Sequence, residues 1–478
     1  MSLEIAVIAL GLVLMLADVF MPVERRRFIG YAGIVALIGL LVASFSGFGS
    51  CSQTGMAFNG MFVEDGLAVF FKRFFMLAAI LVLFISTEFS DRIAVGISEY
   101  YSLIVFALSG MLFAASANDF AMLFVSIELI TVTFYVLTSF QRGRLQSLEA
   151  GVKYLILGAL SSAVMVFGIA LVWGVTGKFN FTELAAVASQ FENNRMFLLG
   201  VLMVLVGLGF KIAAFPFQIW TPDVYQGAPT PTTAFLAVGS KAAGFVLLLR
   251  FLFGAVPSIS ARWGNVLIII SAVTILYGNL CAIPQRNMKR LLGYSSIAQA
   301  GYLLLGVAAL TAAGQAALLY YLAGYLFTLA AAFMVICLVM RQADGEDISS
   351  LAGLNQRSPL LATSMTLSMI SLAGIPPLAG FFGKFLLLKA VVEQGATNRG
   401  YYCLAFTAVA GVIISIYYYF GIIRAIYWSK DPKDLSPIIL SAPAKFSIIV
   451  CVGGMLWLGL FPNTVLDMAN EAVKVFSL

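Results

Sequence analysis

The chain has 478 residues, of which 61% are hydrophobic and only 10% charged, with a formal net charge of +6. Its mean hydropathy of +1.00 excludes a soluble protein. Apolar runs close to the length of a membrane span recur along the whole chain, so the sequence predicts an all-α polytopic membrane protein. The basic residues lie mostly in loops and at helix ends, which indicates membrane topology and not nucleic-acid binding.

The residues that usually hold metals and redox groups are scarce. There is no histidine, and the cysteines stand singly without a CxxC pair, at Cys51, Cys281, Cys337, Cys403 and Cys451. Haem, iron–sulfur and zinc sites are therefore not expected in this chain. A Walker loop and a credible GxGxxG after a strand are also missing. The chain should draw its energy from an ion gradient or from a partner.

About fourteen spanning segments are predicted from apolar runs. The first, Leu3 to Phe20, has no basic leader or convincing cleavage site, so it is interpreted as a span and not a removed signal. The predicted segments are residues 3–20, 28–46, 67–87, 100–117, 118–140, 148–174, 197–220, 232–253, 264–283, 291–310, 314–340, 358–392, 401–428 and 441–461.

Alternate loops carry most of the basic residues and should face the cytoplasm. These residues are Arg25, Arg26, Arg27, Arg92, Arg142, Arg144, Arg286, Lys289, Arg290, Arg341, Arg357, Lys430 and Lys433. Both termini are then predicted on the outer side, as an even number of crossings requires. The loop from Gly47 to Asp65 has no Lys or Arg and fits the outside.

Two other connecting segments have features of their own. Residues 179–191 are mildly amphipathic and are expected to lie along the outer interface. The short loop 342–350 carries Asp344, Glu346 and Asp347, and is interpreted as a solvated turn.

Prolines are expected to break two of the spans. Pro216 lies in the seventh segment and would free the carbonyl of Ile212. The twelfth segment is too long for one span, and Pro376–Pro377 fall near its centre. Carbonyls freed in this way need a partner within the protein or a water-filled cavity.

The two breaks are five segments apart, which suggests two five-helix units. Because five is odd, such repeats must have opposite orientations, as in many transporters. The chain divides accordingly into three N-terminal helices (1–99), a first repeat (100–253), a second repeat (264–428) and a C-terminal helix with its tail (429–478).

Five charged residues are candidates for ion or proton transfer, because charge within a span is costly and usually functional. They are Glu128 in the fifth segment, Lys153 in the sixth, Lys211 in the seventh, Lys241 in the eighth and Lys384 just past the break of the twelfth. The charge state of a buried lysine depends on desolvation and on nearby carboxylates. Movement of Glu128 relative to Lys211 would then switch whether Lys211 holds its proton.

Structural explanations remain open for several of these charges. Lys153 could instead extend to the interface, and Glu128 could be a purely structural counter-ion. Asp223 could simply cap a turn or bind a neighbouring loop. Extension to the interface is favoured for three residues near helix ends, Lys389, Arg250 and Arg424.

Three stretches resemble one protein family. They are FPFQIWTPDVYQGAPTPTTAFLAVGSKAAGF (215–245), PQRNMKRLLGYSSIAQAGY (284–302) and SLAGIPPLAGFFGKF (371–385). They closely resemble the N subunit of NADH–quinone oxidoreductase (respiratory complex I), whose mitochondrial counterpart is NADH dehydrogenase subunit 2. The resemblance covers about residues 100–430. The tyrosine and glutamine of TPDVYQGAPTP favour the N type over the related L and M types, which usually have a histidine there.

The resemblance implies an antiporter-like proton-pumping subunit with fourteen helices and two inverted five-helix repeats. It implies that Glu128 pairs with Lys211, that Lys241 connects the half-channels, and that Lys384 exchanges protons with the outside. Lys153 fits a lysine that the family shares early in the sixth helix.

The same resemblance implies a subunit of a proton-translocating enzyme, in a bacterial inner membrane, without a redox centre of its own. FMN, iron–sulfur clusters and quinone would belong to partner subunits, and the neighbours would include antiporter-like subunit M and the small K and J subunits. Three alternatives stay open: an independent cation/proton antiporter, the equivalent subunit of a ferredoxin-dependent relative, and a purely structural membrane subunit.

Overall fold

The computed structural model describes residues 1–47, 55–93, 96–342, 345–428 and 435–476. In the first half of the chain the helices are α1 (Ser2–Phe20), α2 (Arg27–Phe45), α3 (Gly66–Phe89), α4 (Ile97–Ala115), α5 (Phe120–Thr138), α6 (Leu145–Thr176), α7 (Phe181–Val187), α8 (Arg195–Ile212), α9 (Trp220–Gly227), α10 (Thr230–Phe235) and α11 (Lys241–Leu249). In the second half they are α12 (Gly264–Ala282), α13 (Met288–Ala308), α14 (Ala312–Val339), α15 (Leu354–Arg357), α16 (Pro359–Ala373), α17 (Ala379–Glu393), α18 (Gly400–Trp428), α19 (Ala442–Leu460) and α20 (Asn463–Val473).

Within the described residues, 13 helices are long and apolar enough to cross a membrane. One of them, Thr230–Ala255, combines α10 and α11 with the π-helical turns Leu236–Ser240 and Arg250–Ala255. The remaining predicted segment, the twelfth, is broken and forms α16 and α17 of 15 residues each. The predicted all-α polytopic architecture is therefore confirmed.

Polar side chains fix where several of these helices begin. Asp65 accepts a 2.8 Å hydrogen bond from the backbone amide of Ala68 at the start of α3. The side chains of Asn194 and Asn287 similarly accept hydrogen bonds from backbone amides at the starts of α8 and α13. Such caps satisfy amides that the first helical turn leaves without partners. Specific capping residues, and not only hydropathy, therefore determine where these helices begin.

The helices differ greatly in how much of them the protein covers. The most apolar stretch of Thr230–Ala255 is wholly buried and that of Met288–Ala308 is 94% buried, against 28% for Ser2–Phe20. The peripheral helices expose large apolar side chains, including Phe20 and Phe406. These exposed faces suit lipid, and the α10–α11 segment and α13 form the centre of the bundle.

A small hairpin covers one end of the bundle. Strands β1 (Gly55–Ala57) and β2 (Phe62–Glu64) pair antiparallel, with Gly55 opposite Glu64. Phe62 also forms a bridge with Ala117, between α4 and α5. The sequence predicted only a loop outside the membrane here, and residues 48–54, with Cys51, lie outside the described residues.

Both predicted helix breaks are present. The helix α8 ends at Ile212 with Ala213 in the left-handed region (φ 60°), and α9 begins at Trp220. The helix α16 ends at Ala373 with Gly374 at φ 84°, a conformation that glycine adopts without steric cost. The peptide bonds before Pro216 and Pro377 are cis.

The first break differs from its prediction in two respects. Residues 221–231 were expected only to connect two spans, but the segment around Asp223 is the short helix α9. In addition, Lys211 lies in the last turn of α8, because this helix ends at Ile212 and not at residue 220, where the predicted segment ends. The indole of Trp220 donates a 3.1 Å hydrogen bond to the Phe210 carbonyl, one of the acceptors that the ending helix leaves free.

The amphipathic segment 179–191 contains the helix α7 and a 3-10 turn, Ala188–Phe191. The tail contains a helix that was not predicted, α20, which packs on α3 and α14 through Ala469, Ala472 and Val473. Lys430, Lys433 and Asp344, used above in the topology and loop predictions, lie outside the described residues.

Candidate functional site

Three of the predicted lysines are buried inside the bundle. The exposed fraction is 6% for Lys211, 2% for Lys241 and 4% for Lys384. Lys211 precedes the first break, Lys384 follows the second, and Lys241 begins α11 directly after a π-helical turn. Each lysine therefore lies where regular α-helical geometry is interrupted, which is where backbone acceptors become available.

Lys211 donates a hydrogen bond to the Oγ1 atom of Thr131 on α5. The Thr131 hydroxyl in turn donates a 2.6 Å hydrogen bond to the Ile127 carbonyl, so its lone pairs face the ammonium. The Nζ atom also lies 6.0 Å from the centroid of the Tyr154 ring, within the range of a cation–π interaction. Nothing in the sequence singles out Thr131, because a threonine in an apolar helix usually bonds only its own helix.

Glu128 lies one turn before Thr131 on the same helix, but its closest polar partner is elsewhere. The Ser162 hydroxyl of α6 donates a 2.5 Å hydrogen bond to Glu128 Oε1. The ion pairs among the described residues do not include Glu128 with Lys211. The structure thus brings the two residues to one region without direct contact.

Lys241 is held by a single serine of α13. Its ammonium donates to both the carbonyl and the hydroxyl oxygen of Ser296. Two tyrosine hydroxyls also lie at hydrogen-bond distance from this oxygen, Tyr225 at 3.1 Å and Tyr325 at 3.2 Å. Ser296 therefore joins α9, α11, α13 and α14 around the second lysine.

Lys384 reaches back across the second break. Its ammonium donates a 2.6 Å hydrogen bond to the Leu372 carbonyl, which Pro376 leaves without an amide partner four residues on. The Nζ atom lies 4.4 Å from the centroid of the Tyr302 ring. A carbonyl freed by a proline was expected to need a partner inside the protein, and for Leu372 this partner is the candidate residue Lys384.

A buried polar chain approaches Lys384 from α13. Gln299 donates to the same Leu372 carbonyl at 3.3 Å and to the Tyr419 hydroxyl at 3.2 Å, and accepts a hydrogen bond from Tyr321. Tyr419 lies 2.5 Å from the Ser295 hydroxyl. Residues 295, 296 and 299 place a polar stripe on a helix that is otherwise buried among apolar side chains. In the sequence these residues form the polar cluster SSIAQ (295–299), to which the sequence analysis assigned no functional role.

Lys153 lies apart from the three buried lysines. Its side chain is 42% exposed and forms 2.7 Å ion pairs with Glu149 and Asp223. Asp223 also pairs with Arg290 of α13 at 2.5 Å. Burial alone would raise the pKa of Asp223, but the hydrogen bonds from Lys153 and Arg290 outweigh it and hold the pKa below its usual value. These residues line an open cleft of 130 Å³.

Two charged residues differ from their sequence interpretation. Arg250 was expected to extend to the interface, but it is 5% exposed and forms a two-pronged ion pair with Asp65 at 2.8 and 3.1 Å. It also donates to the Ala115 carbonyl at 2.7 Å. The interface interpretation is wrong for Arg250, because a loop carboxylate that no hydropathy pattern reveals compensates its charge. Lys389, in contrast, is exposed.

Glu346 was interpreted as part of a solvated turn, which is also wrong. Its carboxylate is buried and pairs with Arg144 at 2.7 Å and with Lys289 at 3.0 Å. Burial alone would raise the pKa of Glu346, but the two cations outweigh it and lower the pKa. The loop is therefore tied to both halves of the bundle.

A further buried charge cluster was missed entirely. Lys72 of α3 pairs with Glu4 of α1 at 2.6 Å and with Glu64 of β2, and all three are nearly inaccessible. The sequence offered a weak signal, the lysine within the apolar run LAVFFKRFF.

The fold and these sites define a class, a polytopic membrane protein with broken helices and buried cations, which is the design of ion-translocating proteins. Residues 117–415 match the family model described as NADH:quinone oxidoreductase/Mrp antiporter, TM. The chain is 40% identical over 475 residues to NADH-quinone oxidoreductase subunit N of Desulforamulus reducens, covering 99% of this chain and 98% of that one. It is 39% identical over 480 residues to the subunit of the same name of Rhodospirillum rubrum, covering 99% and 96%. The chain therefore belongs to the NADH-quinone oxidoreductase subunit N family, which confirms the resemblance found in the sequence.

Solved structures agree with this assignment. A chain of respiratory complex I from Thermus thermophilus with bound aureothin is 31% identical, with a TM-score of 0.79 and coverage of 98% of this chain and 99% of that chain. A chain of the Mrp complex from Dietzia sp. has a TM-score of 0.82 and covers 99% and 97%, but at 22% identity it shows only a shared fold.

Proposed function

We propose that this chain translocates protons as a membrane-arm subunit of an NADH–quinone oxidoreductase, whose redox reactions take place in other subunits. The observation that carries this proposal is that Lys211, Lys241 and Lys384 are all buried and all bonded to neutral oxygen acceptors. A buried charge without a close counter-ion is costly. The carbonyls orient such an ammonium, and its proton can leave through a neighbouring hydroxyl group or water, which both accept and donate.

Each candidate has a role that its contacts support. Glu128 and Lys211 would form a gate, in which the carboxylate moves between Ser162 and the Thr131–Lys211 pair. Lys241 would relay protons through Ser296. Lys384 would load or release them on the far side of the second break. Lys153 would serve the open cleft that it shares with Asp223, outside the buried row.

Each proposed transfer conserves both the proton and its charge. A proton that leaves one ammonium Nζ atom leaves a neutral amine there, and the next lysine amine that receives the proton becomes an ammonium. Lysine suits such transfer because its charge state responds to its surroundings, whereas arginine stays charged.

The two predicted inverted repeats, residues 100–253 and 264–428, are part of this proposal. They are supported by the matching backbone of the two breaks. Ala213 and Gly374 both take left-handed conformations three residues before Pro216 and Pro377. The residue after each also donates to a carbonyl five residues earlier, at 2.9 Å in the first break and 3.2 Å in the second. The flanking units, residues 1–99 and 429–478, complete the division.

The setting of the chain is proposed from its family and its charge pattern. It would lie in a bacterial inner membrane with both termini outside, because the basic loops should face the cytoplasm. Its neighbours would include the M, K and J subunits, and FMN, iron–sulfur clusters and quinone would be held by partner subunits.

The first test is Lys211→Met in the intact complex. Proton pumping should be abolished while assembly is preserved, because methionine keeps the length of the side chain and removes the proton. Normal proton-to-electron coupling in an assembled Lys211→Met complex would rule out this role. Exposed Lys389→Met is the matched control and should pump normally.

A second test separates this function from an independent antiporter. Purification through a tag on this chain in mild detergent should yield a large complex with flavin, iron–sulfur signals and NADH–quinone activity. A large complex with iron–sulfur signals but no NADH activity would change the electron donor. A small particle that exchanges sodium for protons without cofactors would overturn the proposal.

A further inference from the structure

A groove with basic residues at its mouth opens between α4, α5 and α6. Its volume is 1030 Å³, far above the roughly 10–15 Å³ that a cavity needs to hold one water molecule. The mouth is lined by Arg92, Ile93 and Gly96 before α4 and by residues of the loop before α6, which carries Arg142 and Arg144. None of the residues of this groove has a place in the proposed proton path, so the groove is a separate feature.

The mouth has more positive than negative charge. Arg144 is already paired with Glu346. Within the described part of the chain, the ion pairs include no acidic partner for Arg92 or Arg142. Glu99 is the single acidic residue among those that line the groove. Two guanidinium groups are thus available for an anion.

The two loops that carry these arginines are held together. The Gln141 side-chain amide donates a 3.1 Å hydrogen bond to the Arg92 carbonyl. The positions of Arg92 and Arg142 relative to each other therefore depend on a built contact between the loops, and a ligand that binds both would meet a preformed mouth.

Below the mouth, the groove becomes apolar. Its walls include Val136 of α5 and Leu148, Val152 and Leu155 of α6, with exposed fractions of 46%, 38%, 55% and 47%. An occupant must therefore be anionic at one end and apolar along the rest of its length.

We propose that this groove is a binding site for an anionic phospholipid, with its phosphate between Arg92 and Arg142 and an acyl chain along α5 and α6. Arginine matches phosphate geometry through its planar fork of donors, and basic pockets between spanning helices bind acidic lipid headgroups. The apolar walls exclude a free phosphate as an occupant of the whole groove. The proposal does not depend on proton translocation.

Photo-crosslinking in the assembled complex tests the proposal. A benzoylphenylalanine at position 152 faces the apolar wall, and one at position 160 on the same helix faces outside the groove. The complex is placed in vesicles of phosphatidylethanolamine with a minority of phosphatidylglycerol, and the adducts are identified by mass. We expect phosphatidylglycerol to be enriched over its vesicle fraction at position 152 by about fivefold for each arginine engaged, and not at position 160.

Variants of the mouth give the second arm. Arg92→Gln with Arg142→Gln should reduce the enrichment at position 152 to that at position 160, whereas Arg195→Gln, outside the groove, should not. Adducts at position 152 that match the vesicle composition would overturn the proposal. Adducts with another protein chain would also overturn it, because the groove would then be a subunit interface. Enrichment of phosphatidylglycerol at position 152 that survives the double variant would overturn it as well. If the double variant does not assemble, the comparison of positions 152 and 160 in the native background still decides.

Discussion

The Lys384 ammonium donates a 2.6 Å hydrogen bond to the Leu372 carbonyl, across the break that Pro376–Pro377 make in their helix. Pro376 has no amide to offer this carbonyl, and a lysine on the other half of the helix replaces it. The same carbonyl also accepts from Gln299 at 3.3 Å. The break thus supplies both a binding site for the ammonium and a route from it to α13.

Replacing Lys384 by arginine separates charge from proton exchange. A guanidinium keeps the positive charge beside Leu372 but does not release its proton. We expect Lys384→Arg and Lys384→Met both to abolish NADH-driven acidification of inverted vesicles while the complex still assembles on native gels. Lys389→Arg on the same helix is exposed and should behave as the native protein. Normal acidification by Lys384→Arg would show that the residue acts only through its charge.

Thr131 should matter for Lys211 through its hydroxyl alone. Thr131→Val keeps the shape and removes the acceptor, at a cost of about 1–3 kcal/mol for a buried donor left unsatisfied. We expect the pumping rate to fall by about tenfold, since each 1.4 kcal/mol corresponds to tenfold, and Thr131→Ser to restore most of it. Thr133 bonds only the Leu129 carbonyl of its own helix, so Thr133→Val is the control. Equal effects of the two valine variants would count against a role in proton transfer.

The membrane spans and the helix breaks could be predicted from the sequence, because both depend on residues that are close together along the chain. A run of apolar residues long enough to cross a bilayer has few other structures available, and a proline removes a helical hydrogen bond wherever it occurs. Lys211, Lys241 and Lys384 could be chosen for the same reason, since a charge within a span is rare.

What the sequence could not predict depends on partners that are distant along the chain. Glu346 looked like a solvated acid because Arg144 and Lys289 meet it only in three dimensions. Thr131 and Ser296 are neutral hydroxyl residues, which are common in apolar helices and carry no signal of their own. Their roles as acceptors become visible only when the helices are packed.

The stability of the protein should be sensitive to replacement of Gly380 by alanine, which adds only a Cβ atom. A Cβ atom at this position would lie 1.8 Å from the Ser371 carbonyl oxygen, so α16 and α17 would have to separate. We expect Gly380→Ala to destabilise the protein by about 1–3 kcal/mol and to lower the thermal midpoint of the detergent-solubilised complex. Gly453 has no atom within 4 Å of such a Cβ, and Gly453→Ala should leave the midpoint unchanged or slightly higher. Similar midpoints for the two variants would contradict the close approach.

Lys72 should be required because it neutralises buried acids. Lys72→Met would leave Glu4 and Glu64 with only the N-terminal amine of Met1, at 3.3 and 3.8 Å, and breaking a buried pair costs about 3–5 kcal/mol. Burial already raises the pKa of Glu64 despite the opposing effect of Lys72. We expect little assembled complex from Lys72→Met, and recovery when Glu4→Gln and Glu64→Gln are added. Lys474→Met, at an exposed pair, is the control, and no recovery in the triple variant would refute a charge-based explanation.

The Glu346 cluster predicts how stability responds to acid. The pKa of Glu346 is lower in the folded chain than its ordinary value, because Lys289 and Arg144 outweigh the effect of burial. Its stabilising contribution is therefore complete above the ordinary glutamate pKa of about 4.3 and is lost as the pH falls through the lower folded value. We expect the thermal midpoint of the native complex to exceed that of Glu346→Gln clearly at neutral pH and to approach it as the pH falls below about 4. Glu393→Gln, at an exposed pair, should follow the native curve throughout. A constant difference between the native complex and Glu346→Gln at all pH values would show that the carboxylate does not act through its charge.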